Sequence, residues 1–141
     1  MLRVVLDTHV VVSSLLSPLG PSARIMTAWR QFKMTLVSSQ AILEEVGAVL
    51  NYPRIRAKYQ IDDKDIDRLL NLLKKYAILA AGKGKVPGAL PDDPEDEKFL
   101  ECALEGQADV IVSGGHHLLT LKTFHGISII TARQFVEQYL S

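Results

Sequence analysis

The sequence predicts an α/β fold, in which a three-layer, doubly wound and mostly parallel sheet is flanked by helices, as in Rossmann-like proteins. Short apolar runs rich in β-branched residues recur along the 141-residue chain, and each run is too short for a helix. Amphipathic segments of helical period lie between them. Strands that alternate with helices form βαβ units, and their crossovers place helices on both faces of a parallel sheet.

Five apolar runs are predicted to be buried strands, of which the third is the least regular. They are residues 2–6, 34–37, 77–79, 110–112 and 127–130. Five amphipathic segments are predicted to be helices, namely residues 23–30, 40–50, 62–75, 97–104 and 132–139. Ser39 and Asp62 can cap the second and third of these helices, and Thr131 with Gln134 forms a capping-box pattern for the last.

One long surface loop is predicted over residues 81–94, which hold three Gly and three Pro and few periodic apolar residues. Loops of this length in a compact domain are often functional.

Length and composition favour a single domain, residues 1–141, since domains commonly hold about 100–150 residues. Hydrophobic residues form 48% and charged residues 23% of the chain, which is typical of a globular protein. Basic and acidic residues number 16 each, so any contact with nucleic acid is expected to be a local patch.

The single cysteine, Cys102, suits a reducing cytosol. The first residues lack the apolar length of a signal peptide or a membrane span, so a cytoplasmic location without membrane contact is expected.

Asp7 is the first candidate site residue, because it directly follows the first predicted strand. Ligands bind at the carboxyl ends of the strands in open α/β sheets. A carboxylate buried there needs a cation or a hydrogen-bonding partner. The alternative is that Asp7, Thr8 or His9 caps a short helix that begins near Val10.

Two further acidic positions fall on or beside predicted helices. Glu45 borders the apolar face of the second predicted helix and can point to the sheet edge, whereas Glu44 points more to solvent. Asp93 and Asp96 belong to an acidic cluster that opens the fourth predicted helix, and Asp96 could face the same crevice as Asp7. The alternatives are a solvated surface charge at Glu45 and favourable acids in a first helical turn at the cluster.

Asp7, Glu45 and Asp96 would repel one another at a single sheet edge unless a cation neutralised them. Hard oxygen ligands favour Mg²⁺ or Mn²⁺ over Zn²⁺. Such an ion activates water and stabilises the charge that develops during phosphodiester hydrolysis. The residue types therefore suit a metal-dependent nuclease.

Four segments spread along nearly the whole chain carry a family resemblance. They are residues 5–13 around Asp7-Thr8-His9, residues 39–50 around Glu45, residues 93–100 around Asp96, and residues 108–114 with the fourth strand. These segments resemble the PIN-domain family, in particular its bacterial and archaeal branch of VapC toxins from toxin–antitoxin pairs.

The resemblance implies Mg²⁺- or Mn²⁺-dependent cleavage of RNA, with Asp7, Glu45 and Asp96 as the catalytic and metal-binding acids. It also implies a homodimer and often a small antitoxin protein that blocks the site. Asp93 lies in the segment that resembles the family's third acidic motif.

The chain departs from the family pattern at two places. Where the family has Ser/Thr-Gly-Asp-x-Asp, this sequence reads Ser113-Gly114-Gly115-His116-His117, so both acids are absent and Gly115 takes the fourth acidic position. His9 replaces an Asn that could orient water or substrate. His116 or His117 could compensate and would shift the preference toward Mn²⁺ or other transition metals. The alternative, which an isolated motif position favours, is that both are surface histidines in a loop.

Other polar residues are weaker candidates. Ser13 and Ser113 could hydrogen-bond to a scissile phosphate or a metal-bound water, or serve turns and caps. Phosphates could also bind to basic residues outside the acidic motifs, namely Arg54, Arg56, Lys58, Lys83 and Lys85. The alternative is that these residues belong to ordinary solvated faces.

Two functions remain open from the sequence. One is a metal-dependent endoribonuclease, a toxin component with an incomplete acidic site, and the other is a catalytically impaired PIN scaffold that binds RNA or a protein partner. A dinucleotide-binding role is excluded because no glycine lies between Asp7 and Ser13. A dehalogenase-type phosphatase would need a second Asp where His9 stands.

Overall fold

The computed structural model describes all residues, 1–141, and confirms the predicted α/β class. Its six strands form one sheet of order β3-β2-β1-β4-β6-β5, in which only the edge strand β5 runs antiparallel. The strands are β1 (Arg3–Leu6), β2 (Thr35–Ser39), β3 (Ile78–Ala80), β4 (Val110–Val112), β5 (Thr123–Phe124) and β6 (Ile127–Ile130).

Eight α-helices flank the sheet. They are α1 (Thr8–Leu16), α2 (Pro21–Arg30), α3 (Gln40–Leu50), α4 (Pro53–Tyr59), α5 (Asp63–Tyr76), α6 (Glu97–Glu105), α7 (His116–Leu121) and α8 (Ala132–Phe135). A 3₁₀ turn, Pro94–Asp96, leads into α6, and a π-helical turn, Val136–Leu140, continues α8. No helix has the combination of length and hydrophobicity that crossing a bilayer requires.

The order of the strands creates a crevice at the centre of the sheet. From β1 the chain moves outward to β2 and β3, and it then returns to the other side of β1 as β4. β1 is parallel to both neighbours, with Val5 opposite Val37 of β2 and Ile111 of β4. The strand order therefore reverses between β1 and β4, and their carboxyl ends open on a common edge where ligands bind in folds of this type.

Hydrophobic burial explains why the central strands lie where they do. Val4, Val5 and Leu6 of β1 are at most 2% exposed and belong to one core cluster of 34 buried residues. Apolar residues on consecutive strand positions require cover on both faces of the sheet, which the helices supply. The residues that follow β1 and β4 therefore extend from a centre of the sheet that is packed on both faces.

The predicted helix caps are confirmed. Ser39 accepts a hydrogen bond from the backbone N–H of Ile42 at 3.3 Å. Asp62 with Asp65, and Thr131 with Gln134, form reciprocal capping boxes. Local side-chain chemistry therefore sets where α3, α5 and α8 begin.

The loop predicted over residues 81–94 covers residues 81–93 in the structure, and side chains of α6 hold both of its ends. The Glu105 carboxylate accepts from the backbone N–H groups of Gly82, Lys83 and Gly84 at 2.7–3.0 Å, and these bonds lower the pKa of Glu105. Glu97 accepts from the N–H of Leu90 at 3.0 Å. The loop is thereby anchored just before the acidic segment that opens α6.

Three short helices and one strand lie outside the predicted elements. α1 corresponds to the helix considered only as an alternative near Val10, while α4, α7 and the two-residue β5 were assigned no regular structure. The prediction that His116 and His117 lie in a loop is wrong, because they begin α7. The start of α7 carries only a weak sequence signal, since its N-cap, Gly115, has no side chain to make a capping hydrogen bond.

Candidate active site

Asp7 lies at the carboxyl end of β1 and is 3% exposed. One carboxylate oxygen, Oδ1, accepts from the N–H of Val10 at 2.9 Å and so caps α1. The other, Oδ2, accepts from the hydroxyl of Ser113 at 2.6 Å and from the N–H of Gly114 at 3.0 Å. Burial raises the pKa of Asp7 above its ordinary value of 3.8, against the opposing effect of these hydrogen bonds. Asp7 therefore caps α1 and also lies in the crevice.

Ser113 links the ends of β1 and β4. Its hydroxyl donates to Asp7, and its Oγ accepts from the N–H of Gly115 at 2.9 Å. A hydroxyl group has one proton to donate, and Ser113 donates it to Asp7 while its Oγ accepts from Gly115. These two bonds together fix the orientation of the Ser113 hydroxyl. Ser113 thus positions the Asp7 carboxylate, a role that the sequence did not distinguish from a turn or a substrate contact.

Glu45 reaches the crevice from α3, as its place on the helix predicted. Its Oε1 accepts a hydrogen bond from the Thr8 hydroxyl, and its Oε2 forms an ion pair with the ammonium group of Lys98. Lys98 also donates to the backbone carbonyl of Glu95 at 2.6 Å, and its side chain is only 16% exposed. The charge of Glu45 is therefore balanced inside the protein.

Sequence reasoning did not assign a role to Lys98. The available signal was its position, since it is the only basic residue among the acids that open α6 and lies two residues after Asp96. That spacing alone cannot show that its side chain reaches Glu45, which is 53 positions earlier in the chain.

Asp96 lies at the junction between the 3₁₀ turn and α6, and it makes no cap with its side chain. Loss of solvent contact raises its pKa to about 6, and the negative charges of Asp93 and Glu45 contribute to the rise. A carboxylate in this situation is stabilised by a nearby cation. Asp96 is therefore the acid of the crevice whose charge is least balanced by the protein.

Gly115 separates Asp7 from Asp96. A Cβ atom built on Gly115 would lie 3.5 Å from Asp96 Oδ2, 3.5 Å from Ser113 Oγ and 4.0 Å from Asp7 Oδ2. Its backbone, at φ −90°, suits any L-amino acid. Position 115, where the family has its fourth acid, therefore faces the carboxylates of Asp7 and Asp96. A side chain would fit there without backbone strain.

The three predicted acids line one cleft of about 540 Å³. Asp7, Asp96 and Gly115 border it on the strand side, and Glu45 borders it on the α3 side. Its other lining residues are Thr8, His9, Val12, Ser13, Leu16, Ser17, Val49, Ile55, Tyr59, Phe99 and Gly114. No three His, Cys, Asp or Glu side chains are arranged to hold one metal ion directly.

The accessory candidates divide into two groups. Ser13 and His9 line the cleft, and His9 is exposed with its ring against Gly114, where a Cβ would lie 2.4 Å from His9 Nδ1. The other group lies outside the cleft lining. His117 Nδ1 lies 3.2 Å from Asp93 Oδ2, and His116 is exposed at the start of α7.

Comparison with known proteins agrees with the geometry. The chain is 25% identical to an uncharacterized protein of Methanocaldococcus jannaschii, over 98% of this chain and 92% of that protein. Residues 3–117 match the PIN domain family, a stretch that includes β1, α3, the acidic segment and β4. The protein therefore belongs to the PIN domain family.

Proposed function

We propose that this protein is a metal-dependent endoribonuclease that hydrolyses RNA phosphodiester bonds, with residues 1–141 acting as one PIN domain. The family is one of nucleases that generally use divalent metal ions. The observation that carries the proposal is the meeting of Asp7, Glu45 and Asp96, from three separate elements, on one cleft at the carboxyl edge of the sheet. Sites of this type lie at that edge in open α/β folds.

The residues present fit a hydrated Mg²⁺ or Mn²⁺ ion. Mg²⁺ usually keeps several waters and binds proteins through one or two carboxylates. Asp7 and Asp96 flank the position above Gly115, and the raised pKa of Asp96 indicates a carboxylate that a cation would stabilise. When bound, such an ion supplies an activated water and offsets the negative charge that develops on the phosphate.

The protein's own groups would prepare this site. Three hydrogen-bond donors hold Asp7 in a single orientation, so its carboxylate needs no rearrangement on binding. Thr8 and Lys98 hold Glu45 at the opposite side of the cleft, where it could accept a proton from a water that attacks the phosphate. His9 and Ser13 lie within the same cleft and could orient the substrate.

The proposal is tested with the Asp96→Asn variant. We expect purified protein to cut RNA in Mg²⁺ or Mn²⁺ but not in EDTA, and Asp96→Asn to reduce the cleavage to the level seen in EDTA. Asp96 is preferable to Asp7 for this purpose because its side chain makes no helix cap. Cleavage is followed on gels with single-stranded and structured RNAs. Equal cleavage by both proteins would contradict the proposal, because the activity would then come from elsewhere.

A second candidate function is favoured by Gly115 and Lys98. The fourth acid is absent, and an internal cation already balances Glu45. If neither protein cuts RNA in either metal, the PIN scaffold would act by binding RNA or a protein partner.

Replacing Lys98 by Met tests whether its ammonium group competes with the metal. The change removes a positive charge from Glu45 and keeps the apolar stem, so the cleft becomes more negative. We expect Lys98→Met to bind Mn²⁺ several-fold more tightly than the natural protein, as measured by isothermal titration calorimetry. Lys85→Met, which removes an exposed ammonium 3.6 Å from Glu101 outside the cleft, is the matched control and should leave the affinity unchanged. Weaker Mn²⁺ binding by Lys98→Met would mean that Lys98 orients Glu45 for the ion.

The biological setting is a further part of the proposal. Resemblance to VapC toxins supports a cytoplasmic homodimer that is paired with a small antitoxin protein. A short open reading frame beside the gene, and copurification of its product with this protein, would support the pairing. A monomeric mass by light scattering would contradict the dimer.

A further inference from the structure

The helix α4 packs against the hydrophobic core through Ile55 and leaves most of its surface exposed. None of its seven residues is buried, and only Ile55 and Arg56 are partly covered. Helices in globular proteins usually gain their stability from burial of an apolar face. An exposed short helix beside a candidate active site therefore needs another explanation.

The charge of α4 differs from that of the whole chain. Basic and acidic residues balance at 16 each overall, whereas α4 holds Arg54, Arg56 and Lys58 and no acid. Arg56 is used within the protein, since it pairs with Asp63 at 2.8 Å and donates to Asn51 at 3.2 Å. Arg54 and Lys58 form no ion pair. Two cations are thus available to an external anion.

One side of α4 forms part of the cleft wall. Ile55 and Tyr59 are four residues apart, lie on the same side of the helix, and both line the cleft with Asp7 and Asp96. Tyr59 is 40% exposed, so part of its surface can contact a ligand. An apolar and aromatic ridge therefore extends outward from the acidic centre.

The two free cations lie beside this ridge. Arg54 and Lys58 each precede a cleft residue by one position, which places them about 100° around the helix on the neighbouring face. The ammonium group of Lys58 lies 5.3 Å from the centre of the Tyr59 ring. An aromatic ring next to cations is the combination that binds single-stranded nucleic acids, since bases stack on the ring and phosphates pair with the cations.

We propose that α4 is a platform for a single-stranded nucleic-acid segment next to the cleaved bond, with a base stacked on Tyr59 and phosphates paired with Arg54 and Lys58. Paired bases in a double helix already stack on each other and cannot lie flat on Tyr59. This inference rests on the proposed nuclease function for the choice of RNA. The proposal that a base stacks beside the site rests on Tyr59, which lines the cleft.

Binding is tested apart from cutting. Asp96→Asn protein in EDTA is titrated into a short fluorescein-labelled single-stranded RNA, and binding is followed by fluorescence anisotropy. We expect a further Tyr59→Ala change to weaken binding about tenfold, and Tyr59→Phe to preserve it because the ring remains. Replacing both Arg54 and Lys58 by Ala should reduce the slope of log affinity against log salt by about 1.4, for two phosphates.

The chain offers a matched control at Tyr76. Lys75 lies 5.4 Å from the Tyr76 ring, an arrangement like that of Lys58 and Tyr59, but Tyr76 lines a different cavity. We expect Tyr76→Ala and Lys75→Ala to leave RNA binding unchanged. Equal losses from Tyr59→Ala and Tyr76→Ala would overturn the platform, even if Asp96-dependent cleavage is observed.

Two further arms of the experiment identify the ligand. A double-stranded RNA that binds as tightly as the single strand would overturn the stacking role of Tyr59. A single-stranded DNA of the same sequence that binds more tightly than the RNA would assign the platform to DNA and overturn the choice of RNA. Preference for single-stranded RNA, lost in Tyr59→Ala, is the expected result.

Discussion

Gly115→Asp is expected to raise the affinity of the protein for Mn²⁺ by about 10–100-fold, since loss of even an outer-shell partner of a metal site commonly costs that much. The new carboxylate would start from a Cβ that lies within 4.0 Å of oxygens of both Asp7 and Asp96. Without metal the added charge repels those two acids, so the melting temperature in EDTA should fall. Calorimetric titration with Mn²⁺ and thermal melts measure the two effects.

Gly115→Asn is the matched control for this change. Asn has nearly the shape of Asp and is an equally good N-cap, so it gives α7 the same new cap without the charge. We expect Gly115→Asn to leave the Mn²⁺ affinity near that of the natural protein and to raise the melting temperature slightly. Equal Mn²⁺ affinities for the Asp and Asn variants would show that position 115 does not contribute a ligand to the site.

Ser113→Ala is expected to lower the free energy of unfolding by about 2 kcal/mol at pH 8, because it removes a hydrogen bond to a buried charged group. In the variant the Asp7 carboxyl group loses one of its three donors. Ser113 lowers the pKa of Asp7, so the variant should have an Asp7 pKa raised further above 3.8. The measurement is urea unfolding in EDTA.

The loss of stability caused by Ser113→Ala is expected to depend on pH. Well below pH 3.8 Asp7 is mostly protonated in the folded protein, whose Asp7 pKa lies above that value, and the lost bond then involves a neutral group. The destabilisation should therefore be smallest there and should increase as the pH is raised through the pKa of Asp7. Ser14→Ala is the control, because its hydroxyl donates only to the carbonyl of Val11, at 2.6 Å, and should show no such trend. A loss independent of pH would mean that Ser113 acts through its packing and its bond to the N–H of Gly115, and not through the charge of Asp7.

Much of the fold was predictable because its signals are local. Apolar runs identified five of the six strands, and capping residues such as Ser39, Asp62 and Thr131 identified where three helices begin. The missed elements lack such signals or are very short: β5 has two residues, and the N-cap of α7 is a glycine, which has no capping side chain. Pro53 at the first position of α4 is a sequence signal for a helix start, because the N–H that proline lacks has no partner within the helix there.

The sequence alone determined which acidic residues are candidates for the site. The positions of Asp7, Glu45 and Asp96 relative to strand ends and helix faces predicted a common crevice, and the tertiary structure places all three in one cleft. The hydrogen bonds between Asp7 and Ser113 and the ion pair of Glu45 with Lys98 were decided only by the tertiary structure. These partners are 106 and 53 positions apart, so sheet register and helix packing, rather than local pattern, bring them together.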